Sequence, residues 1–208
     1  YSSNCACTVN IPDTNFKATV LANPSINTNS DGEIQCSEAA AYTGLLNLFA
    51  TGVTDLTGIE AFTAITSLSI NGNNIDTVNL SANTLLTGIE AGGSQIASLT
   101  LPSTNILTYL VCEYNQLTSL DLSVCPALVE VWCRGNQLAS LDISDNTALQ
   151  YLYTQQNILA ALNTSTNSAL VTLTAQSNQL TSIDVSSNSA LQVLNVSANL
   201  LTSIDVSS

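Results

Sequence analysis

The chain contains no histidine and no methionine, and only two basic residues stand against 15 acidic ones, which gives a formal net charge of −13. Because nothing in such a chain can neutralise phosphates, neither nucleic acid nor an anionic membrane surface is an expected partner. No apolar run approaches the roughly 18 residues of a membrane span, so membrane insertion is not expected. The lack of histidine also makes an enzyme the least expected class of function.

Charged residues make up only 8% of the chain. The exposed surface must therefore consist mainly of Ser, Thr, Asn and Gln. Against this background the dominant feature is a pattern of apolar residues that restarts every 21 residues without insertions. The seven units begin at Ile65, Leu86, Leu107, Leu128, Leu149, Leu170 and Leu191.

A unit of 21 residues cannot bury its own apolar side chains, so the units must stack and share a continuous core. Apolar residues occupy unit positions 1, 4, 6, 11, 14 and 16. Positions 3 to 7 alternate between outward and inward, which predicts a strand with one buried face and, after stacking, a long parallel sheet. The second half of the unit is too short for a full helix, so short extended segments are expected on the back.

Two rows of asparagine mark the turns of the unit. A side-chain amide at position 9 can satisfy backbone groups that are freed where the strand turns away. A second, looser row occupies position 19, at the opposite turn. Position 9 holds Asn73, Ser94, Asn115, Asn136, Asn157, Asn178 and Asn199, and position 19 holds Asn83, Asn146, Asn167 and Asn188.

This unit resembles a leucine-rich repeat, most clearly at residues 128–148, and residues 55–65 resemble the first repeat of internalin-like, adhesion-type bacterial proteins. The resemblance implies a right-handed β-solenoid, or horseshoe, with its parallel sheet on the concave face and no full helices in the repeats. We expect a small α-helical cap at 1–42 and a repeat domain of about eight coils at 43–208. The chain stops in mid-repeat, so a C-terminal cap is expected to be missing.

Residues 27–38 of the cap resemble the calcium loop of an EF-hand, as found in extracellular bacterial modules such as dockerins. The loop pattern needs oxygen ligands at positions 1, 3 and 5, a backbone carbonyl at 7 and a bidentate carboxylate at 12. Asn27 stands where the first ligand is usually Asp. The flanking segments 13–22 and 37–42 are predicted to be helices. The candidate metal ligands are Asn27, Asn29, Asp31, Glu33 and Glu38.

The resemblance implies a structural Ca²⁺ in this loop. Because the first ligand lacks a charge, its affinity is expected in the weaker extracellular range, about 10⁻⁴ to 10⁻³ M. The alternative is a helix–turn–helix cap in which Asp31 and Gly32 form only a turn.

Five of the six cysteines divide into two groups by position, and the sixth, Cys125, replaces asparagine at position 19, at a turn. Cys112 and Cys133 both fall at the inward-facing position 6 of neighbouring units and are expected to be small core residues, with a disulfide between them as the alternative. In the cap, one bridge from Cys36 to either Cys5 or Cys7 would hold the leading segment in place.

Outward-facing residues at positions 3, 5 and 7 should form the concave face of the sheet. Every tyrosine of the repeats, the single tryptophan and the single arginine fall on this face or its rim within three successive coils. With coils about 4.8 Å apart, they form a patch roughly 10 to 15 Å long. We call these candidate ligand-binding residues the aromatic patch: Tyr109, Glu113, Tyr114, Glu130, Trp132, Arg134, Tyr151 and Tyr153.

Exposed aromatic side chains flanked by charges suit a ligand with apolar faces and polar rims, and such residues are enriched at interface hot spots. The sequence therefore favours a non-catalytic recognition module that binds a protein or a carbohydrate. The alternative is a structural spacer or targeting module of a larger exported protein. Ice binding is not expected, since the polar back face lacks the threonine rows of ice-binding solenoids. Glu113 and Glu130 lie side by side on a regular sheet rather than across a cleft, which argues against catalysis.

The chain begins at Tyr1 and has no methionine, which suggests a mature product whose signal peptide has been removed. We therefore expect a secreted or cell-surface protein. It should be a monomer, although an uncapped strand edge at the C-terminal end could support end-to-end association.

Overall fold

The computed structural model describes residues 7–202 and residue 204. Its main element is a parallel sheet of eight strands. In chain order the elements are α1 (Thr14–Leu21), α2 (Cys36–Ala41), β1 (Gly44–Asn47), a 3₁₀ turn (Ile59–Ala61), β2 (Ile65–Ser69), β3 (Thr77–Asn79), β4 (Gly88–Glu90), β5 (Ser98–Thr100), β6 (Tyr109–Val111), β7 (Glu130–Trp132), β8 (Tyr151–Tyr153), β9 (Thr172–Thr174) and β10 (Val193–Asn195).

The large sheet runs in the order β1-β2-β4-β6-β7-β8-β9-β10, with every neighbouring pair parallel. Equivalent positions of successive units lie side by side, so that Tyr109 pairs with Glu130 and Glu130 pairs with Tyr151. The predicted solenoid is confirmed. Within the described residues the repeats contain no helix beyond the 3₁₀ turn. The sequence predicts short extended segments on the side of each coil opposite the large sheet. Two of them, β3 and β5, pair as a second, two-stranded sheet.

The core is built from rows of like side chains, as the repeat length requires. The residues at unit position 1 are fully buried from Ile65 to Leu170, and a single apolar cluster extends from the cap into the last described coils. Burial of each Leu or Ile side chain contributes about 1.5 to 3 kcal/mol relative to exposure. Since each coil covers its neighbour, the stability of one coil depends on the next.

The asparagine at position 9 ties each coil to the preceding one. In Asn136, Nδ2 donates to the carbonyls of Cys112 and Cys133, and Oδ1 accepts the N–H of Leu117, each at 3.0 Å. Where Ser94 replaces asparagine, its hydroxyl donates to a carbonyl of the preceding coil at 2.8 Å. The buried amides at position 19 likewise donate to carbonyls of preceding coils. The predicted role of the position 9 row is confirmed, and the position 19 row has the same role at the opposite turn.

The cap packs directly on the first coil. α1 begins after Asp13, whose carboxylate accepts the N–H of Phe16 at 2.9 Å and, from the first coil, the N–H of Thr54 at 2.8 Å. The rings of Phe16 and Phe62 are in contact, with centroids 6.0 Å apart. The two helices confirm the predicted pair. In the described part of the chain, no helix is long and apolar enough to cross a membrane.

The cysteines occupy the positions expected from the sequence. A disulfide joins Cys7 to Cys36, while Cys5 lies outside the described residues. Cys112 and Cys133 are fully buried free thiols, which confirms them as core residues rather than a disulfide. A third buried thiol replaces asparagine at position 19, where Cys125 donates to the carbonyl of Pro102 at 3.1 Å.

Candidate functional site

The strands β6, β7 and β8 carry the aromatic patch on the concave face. Their middle residues are fully buried, so the flanking side chains point away from the core. The parallel pairing then aligns the outward side chains in two rows: Tyr109, Glu130 and Tyr151 in the first, and Val111, Trp132 and Tyr153 in the second.

Contacts within the two rows orient the indole of Trp132. Its ring stacks on that of Tyr153 in the next coil, with centroids 4.0 Å apart and planes inclined by 28°. Its Nε1–H donates to Oε1 of Glu130 at 2.5 Å, so both the face and the edge of the ring are held. A stacked aromatic pair adds about 0.5 to 1.5 kcal/mol beyond its burial.

Arg134 connects the stacked rings of Trp132 and Tyr153 to Tyr114 at the edge of the concave face. Its guanidinium forms an ion pair with Glu113 of the preceding coil, with Nη2 3.2 Å from Oε1. The guanidinium carbon lies 5.0 Å from the ring centroid of Tyr114 and 5.3 Å from that of Trp132, within the range of cation–π attraction. Gly135, at φ +65°, makes room for the rim, because a Cβ there would lie 2.5 Å from the Tyr114 ring.

Carboxylates give the patch a negative field. Burial raises the pKa of the Tyr109 hydroxyl, and the charges of Glu90, Glu130 and Glu113 raise it further. The pKa of Tyr153 is raised by burial and then by Glu130 and Tyr151. Six residues of the aromatic patch thus form a connected network, and Tyr109 and Tyr151 lie on either side of Glu130 in the neighbouring strands.

A second feature of the concave face was missed by sequence reasoning. Leu45 and Phe49 are 49% and 60% exposed and face Tyr109 across a floor of small residues. The space between them measures about 450 Å³. We call it the small-residue groove; it is lined by Leu45, Asn47, Phe49, Ser67, Leu68, Ser69, Gly88, Glu90 and Tyr109. The available signal was the run of Ser and Gly at outward positions of two successive coils.

The cap loop closes on the carboxylate of Glu38. This carboxylate is buried, and Oε1 accepts the N–H groups of Thr28 and Asn29 while Oε2 accepts that of Gln35. Burial raises its pKa, but these hydrogen bonds and that of the Thr28 hydroxyl outweigh burial and hold the pKa below its ordinary value. Glu38 also completes a capping box at the start of α2, a role that the spacing from Gln35 to Glu38 could have revealed.

The amide and carboxylate oxygens of the loop are of the type that binds a calcium ion. Asn29 Oδ1 and Asp31 Oδ1 each accept the N–H two residues ahead, whereas Oδ1 of the buried Asn27 has no hydrogen-bond partner. Glu33 pairs with Lys17 at 2.7 Å, so its side-chain charge is partly compensated. Among the described residues, no three Cys, Asp or Glu side chains gather closely enough to hold a metal ion by themselves.

The comparisons with solved structures agree with this architecture. The InlJ functional domain of Listeria monocytogenes is 28% identical and aligns over 94% of this chain with a TM-score of 0.52. The chain spans only 52% of that domain, about half its length. Internalin C2 of the same species shares the fold at 23% identity and a TM-score of 0.72, over 94% of this chain and 88% of the other.

A leucine-rich repeat protein of Leptospira interrogans also has this fold, at 21% identity and a TM-score of 0.54, over 74% of this chain and 47% of the other. The comparison with curated protein sequences finds no significant match. Folds of this kind are typically protein-interaction modules without catalytic activity, and internalin-like relatives are surface or secreted bacterial proteins. The family of the leucine-rich repeat domain of the endo-beta-N-acetylglucosaminidase EndoS matches residues 11–158, and the chain belongs to this family.

Proposed function

We propose that the chain is an exported recognition module that binds a partner protein on its concave face through the aromatic patch. The observation that carries the proposal is the network formed by Trp132, Tyr153 and Arg134 on a regular sheet. Trp, Tyr and Arg are the residue types most enriched at interface hot spots. Because these side chains already hold one another, a partner would have less side-chain freedom to immobilise on binding.

The arrangement of the rings favours a protein over a glycan. A sugar binds to an aromatic residue by placing its C–H groups against an open ring face. Tyr153 already covers one face of Trp132, and Arg134 lies over the same indole. What the patch offers instead is a mixture of ring edges, a cation and carboxylates, which suits the varied groups of a protein surface.

The overall charge favours a basic partner surface. The chain carries a net charge of −13, and the patch adds the carboxylates of Glu113 and Glu130 close to one arginine. Complementary charge accelerates association and excludes acidic partners. We therefore expect association to slow as salt screens these charges.

A second candidate, a targeting or spacer module within a larger protein, is favoured by the family match. That family is described by a repeat domain of an endo-beta-N-acetylglucosaminidase, so there the repeats accompany an enzyme. In such a role the module would position another domain, and the concave face would need no ligand of its own.

The test is to probe arrays of extracellular proteins and of glycans with the purified protein and with the double variant Trp132→Val, Tyr153→Thr. A control double variant, Thr172→Ala, Thr174→Ala, changes the same face in the next coil. We expect protein hits that are lost in the patch variant and kept in the control. Hits that are confined to glycans, or that are indifferent to the patch variant, contradict protein recognition by the patch. The absence of hits favours the spacer.

We also propose that the cap loop binds Ca²⁺ through Asn27, Asn29, Asp31, the carbonyl of Glu33, and Glu38. The unpartnered, buried Oδ1 of Asn27 supports the proposal, because a buried acceptor without a donor is costly and a cation would satisfy it. The ion would add to the hydrogen bonds of Glu38, which close the loop by themselves.

A further inference from the structure

The small-residue groove arises from a break in the size of the outward side chains. In the row at unit position 3, Leu45 pairs with Ser67, Ser67 with Gly88, and Gly88 with Tyr109. Two coils with small side chains therefore lie between two coils with large ones. At about 4.8 Å per coil, the gap is roughly 10 Å wide, enough for one large apolar side chain.

The walls of the groove are apolar and exposed. Leu45 and Phe49 lie on the N-terminal side at 49% and 60% exposure, and the half-buried ring of Tyr109 forms the other side. The buried side chain of Leu68 lies in the floor. Exposed apolar walls around a concave space gain free energy when a ligand displaces water from them.

One charged residue, Glu90, lines the groove. Its Oε2 accepts hydrogen bonds from Oγ of Ser69 at 3.1 Å and from Nδ2 of Asn71 at 3.2 Å, which fix the carboxylate in place. Among the described residues, both cations are engaged elsewhere, since Lys17 pairs with Glu33 and Arg134 pairs with Glu113. Glu90 also raises the pKa of Tyr109, so its charge acts across the groove.

We infer that the small-residue groove is a separate specificity subsite for a basic partner segment, in which an apolar side chain enters the groove and a neighbouring Lys or Arg pairs with Glu90. The inference rests on the proposed function, namely that the concave face binds a protein. Charge complementarity selects the occupant, because a carboxylate without a cation lies in the floor of an apolar groove on a chain with a net charge of −13.

The groove and the aromatic patch share Tyr109, so one partner segment covers both. From Leu45 to Tyr153 the face spans five strand spacings, about 24 Å at about 4.8 Å each. An extended segment advances about 3.4 Å per residue, so roughly seven residues reach across. The basic and apolar pair then occupies one end of the segment, and the aromatic patch holds the other.

The experiment is a selection of random seven-residue peptides on a display library against the whole chain. We expect enrichment of sequences with Lys or Arg beside Phe, Leu or Ile. Gly88→Tyr should weaken binding of a selected peptide at least tenfold by filling the groove. The sheet accepts tyrosine at this position, as Tyr109 shows one coil later. Gly88→Ala is the matched control, because its Cβ has no neighbour closer than 3.7 Å.

Glu90→Gln keeps the shape of the side chain and removes its charge, so it provides a second test that does not depend on folding of the tyrosine variant. It should weaken binding five- to tenfold and reduce the dependence of affinity on salt. If only the variant Trp132→Val, Tyr153→Thr abolishes binding, the groove inference fails and the proposed function stands. If no variant matters, both fail. Peptides without a basic residue, or no enrichment at all, overturn the inference.

Discussion

The indole of Trp132 stacks on the ring of Tyr153 in the next coil, with ring centroids 4.0 Å apart. Parallel pairing of β7 with β8 places the two residues in register, so the stack follows from the repeat itself. In two other coils the same position holds Val111 and Thr174. The sheet therefore does not need aromatic residues there.

The stack should appear as a coupling free energy. We predict that Trp132→Val and Tyr153→Thr, made singly and together, give a coupling of about 0.5 to 1.5 kcal/mol in the free energy of unfolding. Urea denaturation measures it. The replacements are those that neighbouring coils carry at the same position, so the backbone should tolerate both. Additive effects of the two substitutions would show that the stack contributes nothing to folding.

Removal of a position 9 asparagine should be costly. Asn136→Ala removes three hydrogen bonds and leaves the buried N–H of Leu117 without a partner. The carbonyls of Cys112 and Cys133 each keep a second donor, in Asn115 and Asn157. Because one unsatisfied buried group costs about 1 to 3 kcal/mol, we predict a loss of about 1 to 3 kcal/mol in the free energy of unfolding. Asn136→Ser should lose less, because Ser94 serves at this position in another coil. The exposed Asn163→Ala is the control, with little expected effect. Equal losses for Asn136 and Asn163 would contradict the role of the row.

Much of the fold could be predicted because the repeat constrains it many times over. A period of 21 residues, alternation at positions 3 to 7 and an asparagine at position 9 each recur in successive units, so single exceptions such as Ser94 do not obscure the pattern. The rows of the concave face follow directly from the register. The contacts of the cap with the first coil, such as Asp13 with Thr54, have no repeat to reveal them.

The groove and the role of Glu38 were missed for different reasons. The groove is defined by small residues, Ser67 and Gly88 among them, and a search for chemically distinctive side chains passes over them. Glu38 matched the last ligand of a calcium loop, and this match concealed its hydrogen bonds to Thr28 and Gln35. A residue that fits two patterns needs the structure to show both roles.

The three buried thiols should not react in the native protein. Burial raises the pKa of Cys125 to about 11 and that of Cys133 to about 12, and it raises that of Cys112 well above its ordinary value. Because the thiolate is the nucleophile, we predict that iodoacetamide at pH 8 leaves these residues unlabelled until urea is added. Mass spectrometry measures the labelling of each cysteine, and a Cys5→Ser variant is used so that Cys5 contributes no label. Labelling of Cys112 or Cys133 before unfolding would contradict the closed core.

Stability should fall in acid partly through Asp13. Burial raises the pKa of this carboxyl, but hydrogen bonds from Phe16, Thr54 and Asp55 outweigh burial and hold the pKa below its ordinary value. A lowered folded-state pKa contributes stability above the unfolded value, and this stability is lost as the pH falls below it. Urea midpoints at pH 7 and pH 3 should therefore differ less in Asp13→Asn than in the wild type. Asparagine is as good an N-cap as aspartate, but its amide NH2 cannot accept the N–H groups of Thr54 and Asp55, so at pH 7 the variant should be less stable by about 1 to 3 kcal/mol.

Calcium should raise the melting temperature of the whole chain, because the cap packs on the first coil through Phe16 and Phe62. With a Kd of about 10⁻³ M, about 10 mM Ca²⁺ stabilises by about 1.4 kcal/mol, or roughly 3 to 5 °C. Asp31→Asn should reduce this shift, since it removes one charge and retains an acceptor for the N–H of Glu33. Asn27→Asp should increase it.

Glu38→Gln is a poor probe of the ion by itself, because it also weakens the hydrogen bonds that close the loop. We expect this variant to melt earlier than the wild type even in EGTA, whereas Asp31→Asn should differ from the wild type mainly when calcium is present. Differential scanning calorimetry in EGTA, Ca²⁺ and Mg²⁺ separates the two effects. Identical melting curves of the wild type in EGTA and Ca²⁺ would leave Glu38 with its capping role and exclude a calcium site of this affinity.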